Sequence, residues 1–311
     1  MFGQYLKQLR LERGLTQKDL CALLNLSDAE LASIDAVTIS RWERGITKPH
    51  ASKSIKILRT LTLDLVPYLV SRSKYSPQDS IVNRIVFDRF NSINALIQTS
   101  SYTVPRLPPN PKVVEKRLNL MEAESVLENI RIFLSTSELC YPNLDQLDLY
   151  QLYRDDRLLL KVYIDQDSLE IVGHNLSVFF EVSELESRLK TPYDLLPFRK
   201  VVPYTTNSKL AICNLSRFAA NRYAFEKVHG DFVKFVARHS NIHIYYHYLN
   251  SPLLFNYLVE IGAEKVGYDT LDPYGVVKVG NQSFRNCLLK IDTATILARP
   301  EIAELVKKAT T

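Results

Sequence analysis

The chain has 311 residues and a formal net charge of +5, and 46% of its residues are hydrophobic while 23% are charged. This composition excludes a disordered chain and leaves room for two globular domains. No apolar run reaches the length of about 18 residues that a membrane-spanning helix needs. The N-terminus also lacks a secretory signal, so we expect a cytoplasmic protein with no membrane partner.

The positive charge is concentrated near the N-terminus. Residues 1–75 hold 12 basic and 7 acidic side chains, whereas the remaining residues hold 27 of each. An excess of this sign is what contact with phosphate groups favours.

The cysteines do not form a metal-binding pattern. Cys21, Cys140, Cys213 and Cys287 are far apart, and none belongs to a CxxC pair. This spacing argues against a zinc ribbon and favours reduced, mostly buried thiols, so we expect no metal site.

Two short helices are predicted at the start of the chain. Residues 2–13 place apolar side chains at helical spacing, and Gly14 ends the first helix. Thr16 is a natural N-cap for a second helix, which the pattern places at Gln17–Leu24.

A third helix is predicted in the segment Thr38–Pro49. Gly45 and Pro49 follow in the order that usually ends a helix. Ile39 and Trp42 are three residues apart and would face a core. The polar face, suited to the major groove of DNA, carries Thr38, Arg41 and Arg44.

Two sequence runs together resemble the Cro/CI-type (XRE) helix-turn-helix family. They are Gly14-Leu15-Thr16-Gln17-Lys18-Asp19-Leu20 and Thr38-Ile39-Ser40-Arg41-Trp42-Glu43-Arg44-Gly45, followed by Lys48-Pro49. The resemblance covers roughly residues 2–65 and implies that the protein binds double-stranded DNA. It implies a phosphate or base contact by Gln17, a backbone contact by Lys48, and a base-reading face made of Thr38, Ser40, Arg41 and Arg44.

The sequence departs from this family between the second and third helices. The family joins them by a turn of about four residues, whereas here Leu26–Val37 intervene. Ser27-Asp28-Ala29-Glu30 has the pattern of a capping box and predicts an extra turn of helix.

The next residues are predicted to continue as helix and then as a linker. Residues 51–65 close the small bundle, so that residues 1–70 form the DNA-binding domain, and residues 71–98 form a helical connector. Its apolar surface favours a homodimer, because helix-turn-helix proteins usually bind two half-sites, although packing within the chain is an open alternative. The four prolines in residues 99–115 predict an extended linker.

The second half, residues 116–311, is predicted to be an α/β domain. A helix near 117–135 precedes a hairpin of residues 158–164 and 169–173, and a strand from 209 to 218 leads into a helix. Residues 242–249 alternate like a strand, and a helix at 252–261 is followed by further strands at 276–279 and 287–291. This order indicates a mixed sheet.

The run Asn214-Leu215-Ser216-Arg217-Phe218-Ala219 resembles a segment of the N-acyl-homoserine-lactone synthases, which have the GNAT acyltransferase fold. The resemblance implies a ligand site at Ser216, Arg217 and Phe218 and a small ligand derived from acyl-CoA or acyl-carrier protein, with no bound cofactor of its own. The family's segment carries a glutamate where this chain has Asn214, and an asparagine cannot act as a general base.

A metal site at the histidines is disfavoured. His239, His243 and His247 would share a helix face, but residues 242–249 alternate like a strand, which separates His239 from the other two.

These patterns predict two domains, an all-α helix-turn-helix domain and a GNAT-like α/β domain. We expect a sequence-specific transcription regulator whose acyltransferase-like domain senses a ligand or mediates assembly, rather than an enzyme. The alternatives are an active acyltransferase that carries a DNA-binding domain, and a C-terminal domain that serves only for oligomerisation.

Overall fold

The computed structural model describes residues 1–72, 81–90, 112–136, 144 and 147–310. In chain order, the helices of these residues are α1 Phe2–Glu12, α2 Gln17–Ser27, α3 Ala36–Glu43, α4 Ala51–Arg59, α5 Val66–Arg72, α6 Ile81–Phe90, α7 Leu120–Thr136, α8 Leu149–Arg154, α9 Val182–Arg188, α10 Arg222–Arg238, α11 Pro252–Glu260, α12 Thr293–Leu297 and α13 Pro300–Lys308. The strands are β1 Val113–Lys116, β2 Leu158–Asp165, β3 Ile171–Glu181, β4 Leu210–Ala219, β5 Ile242–Leu249, β6 Glu264–Leu271, β7 Val277–Val279 and β8 Gln282–Asp292.

The chain divides into two compact units. The first, which we call the head unit, comprises Met1–Tyr75, Gly230–Ser240 and Thr293–Thr311. The second, the sheet unit, comprises Ser76–His229 and Asn241–Asp292. The unit that contains the N-terminal helices therefore includes two segments that the predicted boundary at residue 70 had assigned to the second domain.

The head unit is a bundle of short helices around one apolar core. Leu6, Leu20 and Leu24 are fully buried, and they come from the inward faces of α1 and α2. Thr16 caps α2 as predicted: its side chain accepts the N–H of Asp19, and the Asp19 side chain accepts the N–H of Thr16.

The C-terminal helices complete this core. Leu297 of α12 and Val306 of α13 are fully buried. Arg59 Nη1 at the end of α4 donates to Thr293 Oγ1 at 2.8 Å, at the start of α12. Helices from the two ends of the sequence thus pack into one unit.

The sheet unit contains a mixed sheet, as predicted. Its eight strands among the described residues follow the order β1-β2-β3-β4-β5-β8-β6, with β7 also paired to β8. Strands β4 and β5 are parallel, and the other paired strands are antiparallel. The predicted fold class is confirmed as a helical N-terminal region followed by an α/β unit with a mixed sheet.

Two local predictions differ from the structure. The linker predicted for 99–115 does not extend that far, because Val113 and Val114 begin strand β1 and pair with Asp165 and Ile164. The second hairpin strand, predicted at 169–173, is longer in the structure and forms β3, Ile171–Glu181. Residues 73–80 and 91–98 of the predicted connector, and 99–111 of the linker, lie outside the described residues.

Helix α6 packs within the sheet unit. Val86 is 3% exposed and belongs to an apolar cluster with Val172 and Phe225. The rings of Phe90 and Phe225 meet edge to face at 6.1 Å. The chain itself therefore covers part of the apolar surface of α6, whereas Phe87 on the same helix is 61% exposed.

Across the ranges that the structure describes, no helix is both long and apolar enough to span a membrane.

Candidate functional site

Helix α3 is fixed at both of its ends. The Asp35 carboxylate accepts the backbone N–H of Thr38 at 2.6 Å and so caps the N-terminus. Gly45 follows the last turn with a φ of +73°, a conformation that glycine adopts without strain. Ile39 and Trp42 are 0% and 6% exposed and attach one face of the helix to the core. The opposite face is left to solvent.

The residues predicted to read DNA on α3 lie on or beside this free face. Arg41, Arg44 and Lys48 are exposed, and Thr38 and Ser40 are half-buried. The Arg44 Nε donates to the Ser40 carbonyl at 3.3 Å, which orients the guanidinium along the helix. Three cations on one solvated surface can contact phosphates. A guanidinium can also form bidentate hydrogen bonds to O6 and N7 of guanine.

Gln17 is placed differently from the other predicted contacts. Its amide Nε2 donates to Glu43 Oε2 at 2.9 Å, which links the first residue of α2 to the last residue of α3. In this structure Gln17 therefore positions the two helices relative to each other.

Glu43 is the centre of a part-buried ionic network. Arg10 donates from Nε to Glu43 Oε1 at 2.6 Å and from Nη2 to Oε2 at 2.9 Å. A third donation from Arg10 Nη1 to the Leu15 carbonyl, at 2.7 Å, ties in the turn between α1 and α2. The two charged side chains are only 9% and 4% exposed. This bidentate pair joins α1 to the end of α3.

The network also sets the ionisation of Glu43. Burial by itself would raise the pKa of the carboxyl group, but hydrogen bonds from Arg10 and Gln17 and attraction to Arg10 and Lys7 lower the pKa below its ordinary value of 4.5. Glu43 is therefore ionised at neutral pH, as its bond to Arg10 requires.

The residues inserted before α3 are structured and pack into the helical bundle. Residues Ala29–Leu31 form a turn of 3₁₀ helix, with the Asp28 carboxylate accepting the N–H of Glu30 at 2.9 Å. The capping residue is Asp28, one position later than the predicted Ser27, which ends α2. Leu31 and Ile34 are 0% and 4% exposed, so the inserted chain adds its own apolar side chains to the core.

A second candidate site lies in the sheet unit, where β4 and β5 stop pairing. Their parallel register runs from Leu210 opposite Ile242 to Asn214 opposite His247. Beyond these residues β4 continues to Ala219 and β5 to Leu249 without further pairs between them. A register shift in the pairing of β4 with β3 lies at the same level and leaves Leu215 as an extra residue. The sheet therefore opens at the point where the predicted ligand residues lie.

Polar side chains on one face of this opening form what we call the Arg217 cluster, made of Asn175, Asn214, Arg217, Tyr245 and His247. Arg217 Nε donates to Asn175 Oδ1 at 2.9 Å, and its guanidinium lies 5.9 Å from the centre of the Tyr245 ring. Asn214 Nδ2 donates to the same Asn175 oxygen at 3.2 Å. The Tyr245 hydroxyl and His247 Nδ1 are 2.9 Å apart.

The other two predicted ligand residues lie on the opposite face of β4. Ser216 Oγ is 2.7 Å from His174 Nε2, and the Phe218 ring stacks on His174 with centroids 6.0 Å apart. The structure therefore brings Ser216 and Phe218 together and separates them from Arg217, because Asn175 and not His174 is the cross-strand partner of Arg217.

His174, which is buried, and His247, which is half-buried, are neutral near pH 7. Burial, aided by the positive charge of Arg217, lowers the pKa of His247 to about 3. Burial lowers the pKa of His174 to about 4. Groups with pKa values this low are weak general bases at neutral pH. The Asn214 amide is committed to hydrogen bonds with Asn175, Ser177 and backbone carbonyls.

The described residues contain no group of three or more His, Cys, Asp or Glu side chains arranged to hold a metal ion. His239 Nδ1 is 2.7 Å from the Phe235 carbonyl oxygen, so this imidazole forms a hydrogen bond with the last turn of α10.

The N-terminal geometry agrees with a known family. Residues 6–67 match the family model described as Helix-turn-helix. These residues are a helix-turn-helix domain. The match includes the whole insertion and ends within α5, and it supports a DNA-binding regulator.

Comparisons for the rest of the chain are weaker. FeeM, an N-acyl amino acid synthase from uncultured soil microbes, has a TM-score of 0.36 and 11% identity, with 65% of this chain and 98% of that chain covered. Spermidine N-acetyltransferase from Vibrio cholerae has a TM-score of 0.33 and 12% identity, with 60% and 98% covered. No curated protein matches this chain. At these levels of similarity, residues of those enzymes cannot be transferred to this chain.

Sequence reasoning missed the residue that organises the helix-turn-helix domain from α1. The sequence pattern of the first helix did not single out Arg10, and its pairing with Glu43 spans 33 positions. The burial of Arg10 indicates that it has an acidic partner, and helical periodicity alone does not predict that burial. In the sheet unit, Asn175 and His174 were missed because the cross-strand register that brings them to Arg217 and Phe218 cannot be read from either strand alone.

Proposed function

We propose that the protein is a sequence-specific transcription regulator that binds double-stranded DNA through α3. The observation that carries this proposal is the solvated face of α3, where exposed Arg41 lies on the helix and exposed Arg44 directly follows it, while the other face of α3 is buried. A helix of this kind fits the major groove, and an arginine on guanine supplies about 1–3 kcal/mol of discrimination. Exposed Lys48, after the end of α3, contacts the DNA backbone.

Charge supports the same assignment. The excess of 12 basic over 7 acidic residues in residues 1–75 gives the head unit a favourable interaction with phosphates, whereas the rest of the chain is balanced. The Arg10–Glu43 ion pair also supports DNA binding by α3. The pair fixes the orientation of α3 in the free protein and so lowers the entropy lost on binding DNA.

The proposal is tested by selecting bound sequences from random DNA and measuring affinity by fluorescence anisotropy at several salt concentrations. We expect Arg41→Ala to lower affinity about 5- to 150-fold and to relax the preference at one base pair. The matched control is Arg131→Ala, which removes an equal charge from an exposed ion pair of the sheet unit. Equal affinity in Arg41→Ala and the wild type would disprove base reading by α3.

We propose that the sheet unit senses a ligand rather than catalyses a reaction. Arg217 beside the opening between β4 and β5 supports binding of a polar or anionic group, such as that of an acyl-CoA-derived or acyl-carrier-protein-derived ligand. Asn214, together with histidines of pKa about 3 and about 4, supports binding over proton transfer.

The second candidate function is an active acyltransferase that carries a DNA-binding domain. The open edge between the parallel strands favours it, because unpaired backbone groups there can hold an extended ligand by hydrogen bonds. Incubation with acyl-CoA donors and a panel of amine acceptors, followed by mass spectrometry, decides between the two. Turnover that Arg217→Ala abolishes would overturn the sensor assignment, and donor binding without turnover would uphold it.

We further propose that the regulator acts as a homodimer on two half-sites, as helix-turn-helix proteins usually do. Selected sites with dyad symmetry and a complex containing two chains per DNA in sedimentation experiments support it. A single asymmetric site bound by one chain contradicts it.

A further inference from the structure

The sheet unit contains a cleft that carries negative charge and no positive charge. It lies between residues 192–196 and the strands β5, β6 and β8, and its volume is about 120 Å³. Two carboxylates, Asp194 and Asp269, and three aromatic rings, Tyr193, Tyr248 and Tyr268, line it. The other described lining residues are apolar or glycine, with no Lys, Arg or His among them. This is unlike the chain as a whole, which has a net charge of +5.

Asp269 is held rigidly but by neutral donors. Asn286 Nδ2 donates to its Oδ1 at 2.8 Å, and Thr270 Oγ1 donates to the same oxygen at 3.1 Å. The Tyr248 hydroxyl donates to Oδ2. Within the described part of the chain no Lys, Arg or His side chain forms an ion pair with Asp269, so these bonds orient the carboxylate without neutralising its charge.

The backbone next to Asp269 is strained. Thr270 has a φ of +57°, which is a rare conformation for a β-branched residue. Such strain persists only where the surroundings over-determine it, and it concentrates at binding and active sites. Here it places the Thr270 hydroxyl on the carboxylate at the cleft wall.

The aromatic rings are arranged around the mouth and the wall of the cleft. The Tyr193 and Tyr268 rings meet edge to face at 5.6 Å, and Tyr268 in turn packs on Phe284 at 4.4 Å. Tyr193 is 70% exposed, a large fraction for an aromatic ring that lines a cleft. Ring faces next to a carboxylate attract organic cations, by cation–π interaction and by direct charge pairing.

We propose that this cleft binds an organic ammonium group, with Asp269 as the counter-charge and Tyr193 and Tyr268 as its aromatic walls. A volume of about 120 Å³ admits a primary or quaternary ammonium with a few carbons and excludes a nucleotide or a long acyl chain. The inference deepens the proposed sensing role of the sheet unit and rests on it, because it names the chemical class of one ligand.

The test is isothermal titration calorimetry on the full chain with tetramethylammonium, choline and n-butylammonium chlorides, at ionic strength matched with sodium chloride. The neutral analogue of choline, 3,3-dimethylbutan-1-ol, has the same shape without the charge. We expect at least one cation to bind and the neutral alcohol to bind about tenfold or more weakly.

Two variants assign the binding to this cleft. Asp269→Asn keeps the size of the side chain and removes its charge, and we expect it to weaken cation binding about tenfold or more. Tyr193→Leu alters a ring that is 70% exposed, so folding is retained, and we expect a smaller loss of a fewfold. The control is Glu264→Gln, which removes an exposed charge at the start of β6 outside the cleft.

The inference is overturned if no cation binds, if the neutral alcohol binds as well as choline, or if Tyr193→Leu and Asp269→Asn both bind like the wild type. DNA binding is measured on the same samples. Operator binding without cation binding removes this inference and leaves the proposed DNA-binding function standing, whereas cation binding without operator binding does the reverse.

Discussion

At the scale of single residues, the position of α3 depends on Glu43. Its carboxylate binds both Arg10 and Gln17, and its side chain is 4% exposed. We expect Glu43→Gln to destabilise the head unit by about 3–5 kcal/mol, because it leaves the Arg10 guanidinium buried without a counter-charge. Chemical unfolding monitored at Trp42 in the head-unit core measures this change. An effect below about 1 kcal/mol would show that the pair contributes little.

The same residue gives the head unit a pH dependence of defined sign. The pKa of Glu43 is lower in the folded chain than its ordinary value of 4.5, so the unfolded chain takes up a proton first as pH falls. The stability that the carboxylate contributes is complete above that value and is lost as pH falls through the lower, folded pKa. Below about pH 5, we expect the free energy of unfolding of Glu43→Gln to change less with pH than that of the wild type. Parallel curves would contradict this origin.

Local residue chemistry was predictable where partners are close in sequence. The Thr16 cap and its partner Asp19 are three residues apart, and both were visible in the motif. Glu43 belongs to the motif run Thr38–Gly45, but its partner Arg10 could not be named from the sequence. Ser216 and Phe218 were grouped with Arg217 from their adjacency in the chain, whereas strand alternation puts Arg217 on the other face.

At the scale of elements, substitutions in the insertion between α2 and α3 show whether its buried residues anchor α3. Leu31 is fully buried, whereas Leu26 in the same inserted stretch is 88% exposed. We expect Leu31→Ala to cost about 2–5 kcal/mol of stability and Leu26→Ala to be within about 0.5 kcal/mol of the wild type. Thermal unfolding measures both changes. A loss in Leu26→Ala equal to that in Leu31→Ala would mean that the insertion is anchored differently.

Helices and strands with strong local periodicity were predicted well. Strands held in place mainly by pairing with a neighbouring strand were predicted less well. Strand β5 and helix α11 were anticipated within a residue of their bounds because alternation and the Ser251–Pro252 start are local signals. The bounds of strand β6 are not set by periodicity, because its pattern has little buried surface and its pairing with β8 holds it in the sheet.

At the scale of the whole molecule, the head unit is assembled from segments far apart in the chain. Helix α13 is amphipathic, but amphipathicity does not specify which surface covers its apolar face. The structure assigns Ile302, Leu305 and Val306 of this face to the core of the unit that contains α1–α5. A boundary drawn at residue 70 follows the family motif and omits this packing.

DNA binding should depend on the C-terminal helices through the stability of the head unit. Leu297 of α12 is fully buried in the head unit, so Leu297→Ala is expected to cost about 2–5 kcal/mol of stability. The matched control is Leu63→Ala in the same unit, where the side chain is 70% exposed and little change is expected. Because Leu297 is a buried core residue and is not one of the proposed DNA contacts, operator affinity should fall only as the head unit unfolds. We therefore expect Leu297→Ala to bind DNA normally at low temperature and to lose binding at a lower temperature than the control. Equal melting of the two variants, with DNA binding unchanged on heating, would show that the helix-turn-helix domain folds without its C-terminal partners.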